Sequence, residues 1–303
     1  MLKITLKQLQ YFVVVAEKKS FASAAKTLNI SQPAITSAIS LLEERLEVEL
    51  VLRHHAQGVT LTTAGQDLLT RTRSLLTHAK ELEINTIDLG EKLHGRLNIG
   101  CFPTLSPMYM PKLITHFLNK HNEVDVRLFE GKQKELIDGL KSGEYDYVFM
   151  YHVDSTHAFD KDLEHHSLQK SAPHIIISPK NQLSTFQNIS LKQLVSFPMV
   201  LLDIEPSNEY FLGLFREKNL NPFIKYRSPS FETVRGFVAS DMGYSILITK
   251  PKLNYDYNGN PLKYIPIRDK VELGNITLSH LRNRRASRLM KSFYQFTISN
   301  FIQ

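Results

Sequence analysis

Four short polar side chains share one face of a helix that we predict to begin near residue 32. Gln32, Thr36, Ser37 and Ser40 can form hydrogen bonds without first having to bury a charge. Side chains of this kind reach base edges and phosphate oxygens when a helix lies in the major groove of DNA. For an isolated amphipathic helix, an ordinary solvent-exposed face is the more common explanation, so the flanking elements must decide between the two.

The other face of this helix is apolar. Its apolar residues recur at helical spacing: Ile35, Ala38, Ile39, Leu42 and Leu46. Ser31 can cap the helix, and Pro33 suits its first turn, where a backbone N–H would have no partner within the helix. The pattern predicts a helix that packs on a core and leaves its N-terminal half free to contact DNA.

Two further helices are predicted upstream. Thr5 and Gln8 match a capping box for the first, and Ser20 can cap the second. Small or apolar residues on these helices would let all three pack closely: Leu9, Phe12, Val13, Ala16, Ala22, Ala24, Ala25 and Leu28. Asn29 ends the second helix, so a tight turn leads into the third.

A short hairpin follows the three helices. Residues 51–61 are apolar at both ends, contain Gly58, and place Arg53 near an exposed basic tip. The adjacent His54 and His55 would point in opposite directions and have no Cys, Asp or Glu beside them, so solvent or phosphate contact is favoured over metal binding.

This arrangement resembles the winged helix-turn-helix of LysR-type transcriptional regulators. The matching positions are Leu6, Phe12, Ala16, Ser20, Phe21, Ala24, Ala25, Leu28, Ser31, Gln32, Pro33, Ala34, Ser37, Ile39, Leu42, Glu43, Leu46, Leu50, Arg53, Leu61, Thr62, Ala64 and Gly65. The resemblance implies a set of residues that contact promoter DNA: Ser31, Gln32, Pro33, Thr36, Ser37, Ser40 and Arg53. The family usually has Leu-Phe before the wing arginine, whereas this chain has Leu50, Val51 and Leu52, so we expect the wing to shift slightly.

Charge agrees with a DNA-binding N-terminus. Residues 1–41 hold five lysines and one glutamate, whereas residues 42–65 hold two arginines and four glutamates. The positive surface should therefore lie on the first two helices, and the distal end of the third should point away from phosphate. A second basic group near the C-terminus is interpreted as the solvated face of a terminal helix: Arg282, Arg284, Arg285, Arg288 and Lys291.

Length and composition allow a small DNA-binding domain and a larger α/β domain within 303 residues. The formal net charge of +7 suits a nucleic-acid partner. The sequence has no apolar run approaching the roughly 18 residues of a membrane span and no apolar leader, and its single cysteine, Cys101, suits a reducing compartment. These features predict a cytoplasmic protein.

A long helix is predicted from Thr62 to about Leu89. Leucines recur every seven residues at 68, 75, 82 and 89, and the alternate seam positions are Gly65, Thr72, Ala79 and Thr86. This pattern favours a dimerisation helix over a helix that packs only on its own chain, and two recognition helices about one turn of DNA apart need a dimer.

Beyond Gly90 the pattern alternates between strands and helices, which predicts mostly parallel sheets. Two α/β lobes joined by two crossings resemble the type 2 periplasmic-binding-protein-like effector domain of the same family. The predicted fold is therefore multi-domain: an all-α winged helix-turn-helix over residues 1–62, a linker helix over 63–90, and a two-lobed α/β effector-binding domain over 91–303. We expect the first lobe over about 91–165 and 269–303, and the second over about 166–268.

The resemblance implies a small-molecule effector in the cleft between the lobes, where helix N-termini favour an anion. The predicted contacts lie at turns between strands and helices and on nearby aromatic residues: Phe102, Thr104, Ser106, Gly131, Lys132, Gln133, Tyr151, Ser207, Phe231 and Thr233. An inward-pointing Lys132 would favour an anionic effector, whereas an outward-pointing one would be a surface residue. Ordinary packing is favoured over redox sensing for Cys101, because the chain has no second cysteine to resolve an oxidised one.

The sequence holds no nucleophile elbow, phosphate-binding loop, metal cluster or dinucleotide loop, so we expect no catalytic residues, no metal and no cofactor. The predicted function is promoter binding modulated by an effector, with promoter DNA, the effector and further copies of the chain as partners. An enzyme with an accessory DNA-binding domain and a sequence-neutral architectural DNA protein are the alternatives. The effector, the target genes, activation or repression, and dimer or tetramer stay open.

Overall fold

The computed structural model describes residues 4–54, 58–87, 92–152 and 160–301, and it describes side chains of the helix ending at residue 87 only as far as residue 79. His55 and Leu89, and the side chains of Leu82 and Thr86, therefore lie outside what is described. Within the described residues, no helix combines the length and the apolar character needed to cross a membrane.

Three helices at the N-terminus share one apolar core. They are α1 (Leu6–Lys18), α2 (Phe21–Leu28) and α3 (Gln32–Leu46). The hydroxyls of Thr5, Ser20 and Ser31 each accept a hydrogen bond from the backbone N–H three residues later, and Thr5 and Gln8 form the predicted capping box. The apolar stripe of α3 is completely buried at Ile35, Ile39 and Leu42. The opposite, polar face of α3 therefore remains free to contact a partner.

A two-stranded wing follows α3. Its antiparallel strands are β1 (Val51–His54) and β2 (Gly58–Leu61). The Glu43 carboxylate accepts backbone N–H groups from Leu50 at 2.8 Å and Val51 at 3.1 Å, which ties the wing to α3. Gly58 has a φ of +89°, and a Cβ there would lie 2.5 Å from the carbonyl oxygen of Lys19. The wing forms with Val51 buried in the position where the family usually has a larger residue.

The long linker helix is α4 (Thr63–Ile87), which spans 25 residues. The Thr62 hydroxyl accepts a hydrogen bond from the Gly65 N–H at 3.0 Å and so caps the helix. Of the seam positions with described side chains, Thr72 is buried whereas Leu75 is 47% exposed. A large apolar side chain therefore remains uncovered on this helix.

The C-terminal domain alternates strands and helices as predicted, but the expectation of mostly parallel sheets is wrong. Among its described strands, four of the seven pairings are antiparallel, because some strands pair without a crossover helix between them. Its elements are β3 (His94–Cys101), α5 (Ser106–Lys120), β4 (Glu123–Glu130), α6 (Gln133–Lys141), β5 (Tyr147–His152), β6 (Leu163–Ser171), β7 (His174–Ile177), α7 (Leu191–Leu194), β8 (Pro198–Leu202), α8 (Ser207–Arg216), β9 (Phe223–Ser228), α9 (Phe231–Ala239), β10 (Ser245–Leu247), β11 (Lys263–Pro266), β12 (Gly274–Leu281) and α10 (Arg288–Asn300).

Two groups of strands define two lobes. The first lobe has a five-stranded sheet in the order β4-β3-β5-β12-β6, in which β3 is parallel to β4 and β5 whereas β12 is antiparallel to both of its neighbours. The second lobe has the sheet β10-β7-β11 and the parallel pair β8-β9, which a bridge between Met199 and Tyr244 joins. Parallel strands place their carboxyl ends at one edge, so the turns after β3 and β4 meet there, beside the end of β5.

The predicted lobe boundary between residues 165 and 166 is wrong. It falls inside β6, which pairs with β12 from Leu163 to Ser171 and so belongs to the first lobe. The first crossing between lobes therefore lies between Ser171 and His174. Because β6 is an edge strand with mostly polar side chains, it lacks the apolar alternation that marks the other strands.

The interpretation of the C-terminal basic group as one solvated helix face is also wrong. Arg284 lies before α10, its side chain is 7% exposed, and its Nη2 is 2.6 Å from a carboxylate oxygen of Asp146. Only Arg288 and Lys291 of that group lie in α10. An arginine with a buried acidic partner 138 residues away has no signature in local sequence.

Candidate DNA-binding face and effector cleft

The predicted DNA-contacting residues lie on one side of the N-terminal domain. Most of them are exposed at the N-terminal half of α3 or on the wing, and Thr36 is half-buried: Ser31, Gln32, Pro33, Thr36, Ser37, Ser40 and Arg53. With the apolar side of α3 in the core, these side chains form the polar surface of the helix.

Arg53 connects the wing to this surface. Its guanidinium donates a hydrogen bond to the Ser40 hydroxyl at 3.0 Å and lies 5.1 Å from the centre of the Phe21 ring. The contact with Phe21 holds the planar cation beside α3, where it can meet a phosphate. The structure thus brings the wing cation and the polar face of α3 together, although 13 residues separate Ser40 from Arg53.

The surrounding charges favour an anionic partner. Lys7, Lys18, Lys19 and Lys26 are exposed, whereas the Glu43 carboxylate is engaged by the backbone of the wing. Of the wing histidines, His54 places its Nε2 atom 2.8 Å from the Thr60 hydroxyl. This contact with the Thr60 hydroxyl accounts for the position of the His54 ring, so no metal ion is needed to explain it.

The Tyr151 hydroxyl lies between the lobes. It is 3.4 Å from the Thr104 hydroxyl in the first lobe and 3.4 Å from the Thr249 hydroxyl, which follows β10 of the second lobe. Phe102 packs edge-on against Tyr151, with ring centres 5.6 Å apart. Burial raises the pKa of the Tyr151 phenol, so this hydroxyl stays neutral and can both donate and accept. Thr249 escaped sequence reasoning, although it lies two residues after an apolar strand.

The turn before α6 contributes a second part of the cleft. The Gly131 N–H donates to the Cys101 carbonyl at 3.4 Å, which joins this turn to the end of β3. Gln133 is 8% exposed, and its Oε1 atom is buried without a hydrogen-bond partner. Leaving a buried acceptor unpaired costs about 1–3 kcal/mol of folding free energy, which a hydrogen-bond donor on a ligand could recover. Lys132 is exposed, which matches the outward-pointing alternative.

The remaining predicted effector residues occupy helix starts. Ser106 and Ser207 are buried at the first positions of α5 and α8. In the second lobe, Phe231 is half-buried at the start of α9, whereas Thr233 is exposed. The backbone N–H of Thr233 donates a hydrogen bond to the Ser230 hydroxyl, which caps the helix.

Arg235 is a buried residue that sequence reasoning missed. Its side chain is 2% exposed and forms an ion pair with Glu232 at 3.1 Å. It also donates to the carbonyl oxygen of Tyr255 at 2.5 Å, so it holds the loop after β10 against α9. Tyr255 lies outside α9, so nothing in the local sequence indicates that this arginine is enclosed.

Cys101 is packed in the core of the first lobe with no exposed surface. Burial, followed by the nearby Glu130 carboxylate, raises the pKa of its thiol. A protonated, enclosed thiol is a poor nucleophile, which supports a packing role.

A cavity of about 1670 Å³ lies elsewhere, between α4 and the segment around α10. Residues that line it include Thr70, His78, Arg284 and Lys291, and none of the predicted effector residues is among them. Residues of the linker helix and of the C-terminal domain together line this open space. The turns at the strand ends remain the better effector candidate, because they concentrate helix N-termini and buried hydroxyls.

Helix α6 connects the cleft to the linker helix. At its far end, the Thr70 hydroxyl donates to the Lys141 carbonyl, and Arg73 donates to the Ser142 carbonyl at 2.9 Å. Arg73 also meets the Glu17 carboxylate of α1 at 3.2 Å. Helix α6 thus reaches from the candidate effector cleft to α4, and Arg73 of α4 in turn contacts the DNA-binding domain.

Comparison with known proteins identifies both parts of the chain. Residues 6–66 match the family model for bacterial regulatory helix-turn-helix proteins of the LysR family, and residues 90–301 match the LysR substrate binding domain. The crystal structure of HinK, a LysR family transcriptional regulator from Pseudomonas aeruginosa, shares 33% identity and a TM-score of 0.65, covering 98% of this chain and 99% of that one.

Two curated relatives extend the likeness. The uncharacterized HTH-type transcriptional regulator YvbU of Bacillus subtilis is 29% identical over 246 residues, which are 80% of this chain and 81% of that protein. The hydrogen peroxide-inducible genes activator of Haemophilus influenzae is 25% identical over 291 residues, 93% of each protein. The family match over most of the chain agrees with the winged helix-turn-helix and the two-lobed domain. The chain therefore belongs to the LysR family of DNA-binding transcriptional regulators with an effector-binding domain.

Proposed function

We propose that the polar face of α3 reads promoter sequence and that the wing fixes its orientation on the backbone. Gln32, Thr36, Ser37 and Ser40 face the base edges, with Ser31 and Pro33 at the helix start. Arg53 contacts a phosphate. The observation that carries this proposal is the placement of the Arg53 guanidinium 3.0 Å from Ser40, because it aligns the wing cation with the polar face.

The regulator acts as a homo-oligomer built on α4. Leu75 is 47% exposed on a 25-residue helix, which suits a seam that a second copy covers. Two copies would present two α3 helices to half-sites about one turn of DNA apart. Promoter DNA as a partner implies that the protein works in the cytoplasm, as a regulator and not as an enzyme.

A small-molecule effector binds between the lobes. Its contacts include the Thr104 and Tyr151 hydroxyls, the buried Gln133 amide, and helix starts at Ser106 and Ser207. The remaining contacts are Phe102, Gly131 and Phe231, whereas the exposed Lys132 and Thr233 would join them only if their side chains turned toward the effector. An effector that binds one arrangement of the two lobes more tightly would shift the protein toward it and displace α6. The contacts of α6 with Thr70 and Arg73 would then transmit this displacement to α4.

A DNA-binding titration tests the first part. Gln32→Ala and Ser37→Ala should each weaken binding to a site upstream of the protein's own gene by about 5- to 100-fold, the value of a base contact. Binding to scrambled DNA should be unchanged. Gln66→Ala, an exposed glutamine on α4, is the matched control and should leave both affinities unchanged. Equal loss on both DNAs would instead indicate a sequence-neutral architectural protein.

Thermal-shift screening tests the second part. A compound that binds the cleft should raise the melting temperature of the wild-type chain and shift that of Thr104→Val much less. Comparing carboxylates with neutral analogues in wild type and Lys132→Ala separates an anionic effector from a neutral one. Unchanged melting across a broad library of both kinds would contradict an effector-sensing cleft.

A further inference from the structure

Three side chains of types that bind metal ions converge at the β6 edge of the sheet in the first lobe. Glu164 and His166 lie two residues apart on β6, so they share one face of the sheet. Glu164 is the direct strand partner of His280 on β12, which brings the third side chain to the same face. The neighbouring His165 points to the opposite face, where its Nδ1 atom meets the Ser279 hydroxyl at 2.8 Å.

The donor atoms already have the spacing of a metal site. His166 Nε2 is 3.3 Å from His280 Nε2 and 3.4 Å from Glu164 Oε1, and all three donor atoms lie within 4.8 Å of one another. Two ligands bound about 2.0–2.1 Å from a tetrahedral zinc ion lie about 3.3–3.4 Å apart. Two of the three separations therefore match, and the third needs only a small side-chain adjustment.

The outer nitrogens of both rings have partners of the kind that orient metal ligands. His280 Nδ1 is 3.2 Å from the Leu281 carbonyl oxygen, which can only accept a hydrogen bond. The Nδ1 atom must then carry the proton, so in the neutral ring the Nε2 lone pair points toward His166. His166 Nδ1 is 3.0 Å from the Tyr294 hydroxyl, a second orienting contact.

A simple hydrogen bond between the two rings explains only part of this arrangement. In that state His166 donates its Nε2–H to His280, and Tyr294 donates to His166 Nδ1. In that state the Glu164 carboxylate, 3.4 Å from the same Nε2 atom, can only share this one proton with His280. On metal binding the His166 proton moves to Nδ1 and is donated to the Tyr294 oxygen, so two lone pairs and one carboxylate face the ion with no net release of a proton.

We propose that Glu164, His166 and His280 bind one Zn²⁺ ion per chain. Two imidazoles and a carboxylate suit a divalent first-row ion, and the tetrahedral spacing favours zinc. The side chains of His166 and Glu164 are 25% and 43% exposed, which leaves a path from solvent and room for water as the fourth ligand. The ion would join β6 to β12, and so stabilise the strand pair at which the first crossing begins and the second crossing ends.

The direct test uses the untagged full-length chain and Co²⁺ as a spectroscopic substitute for zinc. Stoichiometric Co²⁺ should produce the intense visible bands of a tetrahedral site, and one equivalent of Zn²⁺ should abolish them. His166→Gln and His280→Gln should each weaken Zn²⁺ binding at least tenfold, as measured by calorimetry. Tyr294→Phe should weaken it by about tenfold, the usual effect of losing an orienting contact.

His165→Gln is the matched control, because it removes a histidine from the same strand but from the other face. It should bind one Zn²⁺ like the wild type, and Mg²⁺ should not compete in either protein. Should the ligand variants fail to fold, zinc X-ray absorption on the wild type counts the two imidazoles without any variant. Failure to bind one Zn²⁺, equal binding in all variants, or a spectrum without two imidazoles would overturn the proposal.

Discussion

The buried ion pair between Asp146 and Arg284 makes a quantitative prediction for Asp146→Asn. The two side chains are 10% and 7% exposed and approach to 2.6 Å, and Asp146 also accepts the Asn98 N–H at 2.7 Å. Asparagine keeps the shape and removes the charge, so the Arg284 cation stays buried without a counter-ion. Breaking a buried pair in this way costs about 3–5 kcal/mol, and the residual amide contacts favour the lower value.

For a domain of this size, each kcal/mol lowers the melting temperature by roughly 2–4 °C, so the expected loss is about 6–12 °C. Scanning calorimetry suits this measurement, because the chain contains no tryptophan for fluorescence. Asp67→Asn is the matched control: it removes an acid from an i,i+4 pair whose side chains are 65% and 76% exposed. The control should cost at most about 0.5 kcal/mol. Equal shifts in both variants would refute the buried pair and support a solvated Arg284.

Three further predictions concern single residues. Arg53→Ala should weaken specific and scrambled DNA binding alike and lower the slope of log affinity against log salt by about 0.9, with Arg71→Ala as an unaffected control; loss on the specific site alone would mean base contact instead. Burial lowers the pKa of His174 to about 4, whereas the same histidine in the unfolded chain has a pKa near 6.5. Between these two values the unfolded chain binds more protons than the folded protein, so the free energy of unfolding falls as pH drops from about 6.5 to 4. His174→Gln should remove on the order of 3 kcal/mol of that pH dependence in urea unfolding at pH 7.5 and 4.5, and an unchanged dependence would contradict a buried neutral imidazole. The Cys101 thiol should react with a disulfide reagent far more slowly in the native protein than in urea, and Cys101→Ala should bind DNA with or without peroxide as the wild type does; fast native labelling would indicate a sensor thiol.

Local signals explain why the N-terminal domain was predictable from sequence. The caps at Thr5, Ser20 and Ser31, the early Pro33, and the apolar stripe of α3 act within a few residues of one another. Each produces its structure through backbone hydrogen bonds or helical periodicity, so its pattern is visible in the chain. The contact between Arg53 and Ser40 was not predicted, because the family resemblance only placed both residues in one set of DNA contacts.

Long-range contacts explain what sequence reasoning missed. Strand β6 has few apolar residues because it lies at a sheet edge, so its assignment to the first lobe depends on pairing with β12, more than a hundred residues later. The buried partners of Arg284 and Arg235 and the contact from Tyr151 to Thr249 depend on tertiary packing in the same way. Charged and hydroxyl residues usually lie at the surface, so their types alone predict exposure.

Selection from random-sequence DNA tests most directly whether α3 reads promoter sequence. The wild-type chain should enrich a near-palindromic motif with two half-sites about one turn of DNA apart. Gln32→Ala should enrich the same motif with the preference lost at one symmetry-related pair of positions, and Gln66→Ala should enrich the wild-type motif unchanged. Identical motifs from wild type and Gln32→Ala, or no motif from the wild type, would contradict sequence reading by this face.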